Sequence, residues 1–220
     1  ILINPKNKLA IENKIFYEER RIKEKKFLIS NKIIKLSEEI KKLEEIKDYK
    51  NIIKKYKKII ELEKKDNRVS SFPYSAIAFN FEKIGNYDKA IEYQIKSIKV
   101  EEKLTSKDSL EVANLLDGLS FLYYRGQYFV DKLYFKEVVS IKERVLKIKE
   151  NVFGLENIKT AASYQNIASL YSEIGKYEEA IRLRKKAIQI ANISKEENDF
   201  YTSVDDYKAF RSEEHTSELQ

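Results

Sequence analysis

Ile77-Ala78-Phe79-Asn80-Phe81-Glu82-Lys83-Ile84-Gly85-Asn86-Tyr87-Asp88-Lys89-Ala90-Ile91 returns 90 residues later as Ile167-Ala168-Ser169-Leu170-Tyr171-Ser172-Glu173-Ile174-Gly175-Lys176-Tyr177-Glu178-Glu179-Ala180-Ile181, without a shift of register. A third copy lies between them: Leu119-Ser120-Phe121-Leu122-Tyr123-Tyr124-Arg125-Gly126-Gln127-Tyr128. Ser120 follows Ala78 by 42 residues, and this copy has lost one residue before its glycine. Each copy reads as helix, glycine turn, helix. A small residue (Ala78, Ser120, Ala168) stands where two helices must approach closely, and an aromatic (Phe81, Tyr123, Tyr171) follows three residues later on the same face. Gly85, Gly126 and Gly175 come next, the residue type that ends a helix in the left-handed conformation without a Cβ clash. Three of only five glycines fall at this one equivalent place. The aromatic two residues on (Tyr87, Tyr128, Tyr177) is expected to pack back across the turn.

The second helices carry a further small pair, Ala90 with Ser97 and Ala180 with Ala187, seven apart and therefore on one face. In the middle copy Val145-Leu146-Lys147-Ile148 matches Ser97-Ile98-Lys99-Val100 at an offset of 48 rather than 42. With the deletion before the glycine, its second helix is longer by seven residues. An insertion of that size turns an apolar stripe by only about 20°, so the packing face survives.

A period near 42 with this pattern resembles the tetratricopeptide repeat, in the long-helix form similar to kinesin light chain arrays. Lys103-Leu104-Thr105-Ser106-Lys107-Asp108-Ser109-Leu110-Glu111-Val112-Ala113 and Asn151-Val152-Phe153-Gly154-Leu155-Glu156-Asn157-Ile158-Lys159-Thr160-Ala161 resemble that family's helix end, loop and next helix start. The family's closing proline is missing, and Gln94 and Arg184 stand where a large apolar residue is usual. The implied architecture is all-α, a right-handed α-solenoid of helix-turn-helix repeats. Three clear repeats fall at about 70–112, 113–160 and 161–195. Residues 1–69 read as basic, degenerate repeats: Asp48-Tyr49, Ile52 and Ile59 fit a second helix, Lys47 replaces the turn glycine, and Leu9 to Phe16 looks like the tail of a still earlier helix. Residues 196–210, from Thr202 to Phe210, start a further first helix. Residues 211–220, from Arg211 to Gln220, break with the composition before them and resemble a translated sequencing adapter. The chain contains no Met even at its start, which reads as a piece of something longer.

The 36% charged content, five Gly and two Pro suit helices throughout. No stretch of 18 uncharged apolar residues exists to span a membrane. Apart from His215, in the adapter-like tail, the chain has no His, and it has no Cys, Met or Trp. Imidazole bases, thiolate nucleophiles and Cys/His metal sites are therefore excluded from residues 1–210. The absence of Cys fits a reducing, cytoplasmic setting. No phosphate loop, dinucleotide fingerprint or nucleophile elbow occurs, so neither catalysis nor a cofactor is expected.

The basic charge belongs to the first third: residues 1–68 hold 21 basic and 12 acidic residues, net +9, while residues 69–210 hold 21 of each. Lys54-Lys55 and Lys57-Lys58 around Tyr56, and Arg20-Arg21 with Lys23, Lys25 and Lys26, could neutralise phosphates. Glu18, Glu19, Glu24, Glu44 and Glu45 are interleaved with them, which favours a solvated face with helical ion pairs over nucleic acid. Ile33, Leu36, Ile40 and Leu43 keep spacings of three and four, compatible with a coiled coil or with the repeat's own packing stripe.

The family resemblance places first helices on a concave, partner-binding face. The positions it turns into that groove are Phe72, Ser75, Ala76, Phe79, Glu82 and Lys83, then Asn114, Asp117, Gly118, Phe121 and Tyr124, then Ala162, Gln165, Asn166, Ser169 and Ser172. Asn166 could hold a peptide backbone, since one amide both donates and accepts. Ala76 and Gly118 at the matching places interrupt such a ladder. Phe72, Phe79, Phe121 and Tyr124 point instead to an aromatic floor for an apolar segment or amphipathic helix. The function implied is a protein-interaction scaffold; the alternative is a regulatory segment of a larger signalling enzyme or transcription regulator.

Overall fold

The computed structural model describes residues 5–126 and 132–194. Those residues form eight helices: α1 Pro5–Glu45, α2 Tyr49–Lys65, α3 Phe72–Lys83, α4 Tyr87–Leu104, α5 Leu110–Arg125, α6 Lys132–Phe153, α7 Ile158–Glu173 and α8 Tyr177–Ser194. The chain divides into two compact units, with the division inside α4 after Val100. The expectations for Tyr128, for residues 196–210 and for residues 211–220 lie outside the described residues.

Helix starts follow the side chains that can satisfy free N–H groups. Asp48 accepts from the Asn51 amide at 3.2 Å, Asn86 from Lys89 at 3.1 Å, Ser109 from Val112 at 3.2 Å and Asn157 from Lys159 at 2.9 Å. Helix ends follow the left-handed residues. Gly85 (φ 74°) and Gly175 (φ 78°) each place the next amide on the carbonyl five residues back: Asn86 on Phe81 and Lys176 on Tyr171, both at 2.9 Å. Lys47 (φ 54°) does the same with Asp48 on Leu43, also at 2.9 Å, so a lysine fills the glycine's place at the end of α1. Asn67 (φ 53°) ends α2 in the same way. Gly126 does not: its φ is −74°, close to helical, and its amide still bonds Leu122 at 3.0 Å. Helix α5 thus ends at Arg125 without a left-handed glycine at Gly126.

In the first unit the interior is built from Ile29, Leu36 and Ile40 of α1, Ile52, Ile53, Tyr56, Ile59 and Ile60 of α2, Ile77, Ala78 and Phe81 of α3, and Ala90 and Ile98 of α4. The small residues are where close approach demands them. Ala78 and Ala90 have no exposed surface to speak of, and fully buried Ser97 donates its hydroxyl to the Ser71 carbonyl at 2.9 Å, tying α4 to the start of α3. Helix α1 is one continuous element, so Leu9 to Phe16 is not the tail of a separate earlier helix. Nothing between Pro5 and Glu45 breaks a helix. Its stripe at Ile29, Leu36 and Ile40 packs on α2, with Lys55 and Glu39 joined at 2.5 Å beside it. The threes and fours of that segment are therefore the repeat's own packing.

The second unit is built from Val112, Ala113, Leu116, Leu119 and Leu122 of α5, Val138, Val139, Val145 and Ile148 of α6, Ala161, Tyr164, Ile167, Ala168 and Leu170 of α7, and Ala180, Ala187 and Ile190 of α8. The Ala180 and Ala187 pair lets α8 lie close to α7, where Ala161, Tyr164, Ala187 and Ile190 form one apolar cluster. Helix α6, at 22 residues, is longer than α4 and α8 at 18, and its apolar stripe stays inward as the insertion arithmetic requires. Tyr177 does not bury itself across the turn; it is 50% exposed.

Candidate functional site

On α3, α5 and α7 most apolar side chains are inside, and the exceptions fall at positions assigned to the groove from the sequence, whereas α1 exposes several apolar side chains that were not. On α3, Phe72 and Phe79 keep 65% and 54% of their surface in solvent; on α5, Phe121 and Tyr124 keep 51% and 52%. Phe72 touches the edge of Tyr56, ring centres 6.0 Å apart, and Lys83 places its ammonium 4.7 Å from the centre of the Phe79 ring. Ser75 turns its hydroxyl back to the Phe72 carbonyl at 2.9 Å, and Glu82 is half-buried beside them on the same helix.

In the second unit a cleft of about 240 Å³ opens between α5 and α7. Phe121, Tyr124, Asn166 and Ser169 line it together with Ser120, Val138, Lys142 and Leu170. Four residues singled out in the sequence thus meet around one depression. Its base is apolar (Val138, Leu170), its walls are aromatic, and its rim offers an amide, a hydroxyl and an ammonium. Ser169 already donates to the Gln165 carbonyl at 3.1 Å, leaving its lone pairs for a donor from outside. Asn166 is exposed and lines the cleft.

The remaining positions are placed differently. Asn114 is exposed on α5 but does not line this cleft. Asp117 is turned to α6, where its two carboxylate oxygens take Lys142 at 2.7 Å and Lys149 at 3.1 Å. Gln165 has its side-chain carbonyl oxygen buried without a hydrogen-bond partner. Lys142 was not anticipated as a lining residue. Its signal was hidden, because a helical lysine reads from sequence as a solvent-facing residue. Val138 and Leu170 were legible only as core.

No group among the described residues assembles three potential metal ligands, and no described helix is long and apolar enough to cross a membrane. Tyr164, almost fully buried, donates to Glu150 and accepts from Lys186; burial first and the carboxylate second push its hydroxyl pKa up. That trio joins Glu150 of α6, Tyr164 of α7 and exposed Lys186 of α8, and so ties three helices together.

Antiparallel helix pairs closed by left-handed turns, with small residues at the crossings and a part-polar cleft between first helices, define a helical-repeat binding scaffold. Residues 74–104 and residues 137–193 each match a family model described as tetratricopeptide repeat. These two segments of the chain carry tetratricopeptide repeats. The chain's fold is similar to BtubC (BKLC) from P. vanneervenii at 18% identity and a TM-score of 0.60, over 86% of this chain and 77% of that one. It is also similar to a Podosopora anserina kinesin light chain with nearly identical TPR-like repeats (15% identity, TM-score 0.58, 75% and 77% covered). MamA is a third such structure (18% identity, TM-score 0.53, 76% and 78% covered). No curated protein matches the chain.

Proposed function

We propose that this chain is a protein-interaction scaffold whose first helices bind a peptide or an amphipathic helix through exposed aromatic side chains. The observation that carries the reading is the cleft between α5 and α7, where half-exposed Phe121 and Tyr124 stand over an apolar base beside Asn166 and Ser169. An apolar side chain of the ligand would fill the base. The Asn166 amide would take one backbone donor and one acceptor. A cleft of this size, with a ligand that must be ordered on binding, corresponds to micromolar affinity, roughly −8 kcal/mol.

The test is a peptide library selected on the full chain, followed by titration of the selected peptide. Truncating both Phe121 and Tyr124 to Ala is expected to weaken binding at least tenfold while leaving the thermal midpoint unchanged, because both rings already face solvent. Unaltered affinity in that variant would place the binding surface elsewhere.

A further inference from the structure

A second cleft lies wholly within the first unit, between the second helices α2 and α4. Its volume is about 450 Å³, and it is lined by Lys57, Ile60, Glu61 and Lys64 of α2, Tyr74 of α3, and Tyr93, Lys96, Lys99 and Val100 of α4. The four lysines are exposed, whereas Ile60 is buried and Tyr74, Tyr93 and Val100 are half-buried. The cleft therefore has an apolar floor under a cationic rim, four lysines against the single Glu61. It is not an extension of the aromatic face of α3. Tyr74 and Lys83 are nine residues apart, two and a half helical turns, and leave α3 on opposite sides.

From this arrangement we infer that the α2–α4 cleft is a docking groove for an acidic peptide segment of another protein, with an apolar side chain on the floor and carboxylates on the lysine rim. Charge decides the class of occupant. Lys96 of the rim also pairs with Glu92, one turn earlier on α4 and outside the lining, while Lys57, Lys64 and Lys99 stay exposed. Lysine rims read single charges as separate points, which suits carboxylates spaced along a peptide. Single-stranded nucleic acid would need open ring faces for its bases. At Tyr93 the ring is already engaged, with Lys96 4.5 Å and Lys57 5.7 Å from its centre, and Tyr56, the tyrosine among the α2 lysines, is buried in the core, which leaves half-buried Tyr74 as the cleft's remaining aromatic.

The probe is a short fluorescein-labelled peptide of glutamates around a central leucine pair, titrated into the full chain by anisotropy. Binding is expected to weaken at least tenfold in the double variant Lys57→Glu, Lys99→Glu. The same loss is expected when the probe's glutamates become glutamines or its leucines become serines. Circular dichroism on the double variant checks its fold; should it unfold, Lys57→Gln with Lys99→Gln replaces it, with a smaller loss expected. Phe121→Ala with Tyr124→Ala should leave this binding intact, which separates the groove from the α5–α7 cleft. Equal binding of the glutamine probe, or an unchanged affinity in the lysine variants, overturns the inference. So does displacement of the peptide by an oligothymidine that binds more tightly, which would make nucleic acid the occupant.

Discussion

The backbone of Lys47 repeats that of Gly85: φ is 54° at one and 74° at the other, and the following amide bonds the carbonyl five residues back at 2.9 Å in both. A lysine holds there a conformation that its Cβ resists by roughly 1–2 kcal/mol. Lys47→Gly is expected to raise stability by up to about 1 kcal/mol, the remainder being offset by a freer unfolded chain. Gly85→Ala and Gly175→Ala should each lose about 1–2 kcal/mol. Gly126→Ala, at φ −74°, should be neutral or slightly stabilising. Equilibrium urea unfolding of the four variants checks the ranking, and an equal penalty at Gly126 and Gly85 would contradict it.

Asp117 is held by Lys142 and Lys149, whose side chains are only 17% and 16% exposed. Removing the carboxylate leaves two shielded ammoniums close together. Asp117→Ala is expected to cost about 1–2 kcal/mol, between the values for surface and buried pairs. Asn114→Ala, three residues earlier on the exposed side of α5, should stay within about 0.5 kcal/mol of the parent. Denaturant midpoints of the two variants make the comparison.

The alanines at the helix crossings set how near the helices lie. Ala168 and Ala187 have no exposed surface, so Ala168→Leu and Ala187→Leu should each destabilise by about 1–3 kcal/mol through overcrowding. Ile52→Ala, which opens a cavity instead, should cost about 2–5 kcal/mol. Calorimetric midpoints read both effects.

Bonding from the Asn51 side chain, and then from its backbone amide, holds the Asp48 carboxyl below its ordinary pKa. A lowered folded-state pKa means that the contribution is present above the unfolded carboxylate value near 3.8 and is lost as pH falls through the folded one. Unfolding followed from neutral to strongly acid pH should therefore show a loss of stability in the chain that is smaller in Asp48→Asn, which caps without titrating.

The fold was legible because its decisive residues act locally. Gly85 and Gly175 adopt the conformation that the repeat called for, and Ala78, Ala168, Ala180 and Ala187 are buried at crossings inferred from spacing alone. Gly126 shows the limit, since a residue type permits a left-handed turn without requiring one. The exposure of the candidate cleft's aromatics was legible, because Phe121 and Tyr124 sit on a helix whose inward stripe is already filled by Val112, Leu116 and Leu119. The ion pairs of Asp117 were not legible, because its partners Lys142 and Lys149 lie 25 and 32 residues away on α6. The lysine cleft was invisible for a similar reason. Lys57 and Lys99 become neighbours only through the tertiary packing of α2 against α3 and α4.

Helix α1, at 41 residues, extends roughly 60 Å, yet among its side chains described from Lys14 onward the first that is buried is Ile29. Between residues 14 and 28 its amides are guarded by nothing beyond the helix itself and neighbours such as the Arg20–Glu24 pair at 3.1 Å. Deuterium should enter that half by fraying alone, at rates close to those of a free helical peptide, whereas past Ile29 it must wait until α2 detaches. The helix thus carries its own clock, with a step in exchange rate at the point where tertiary cover begins.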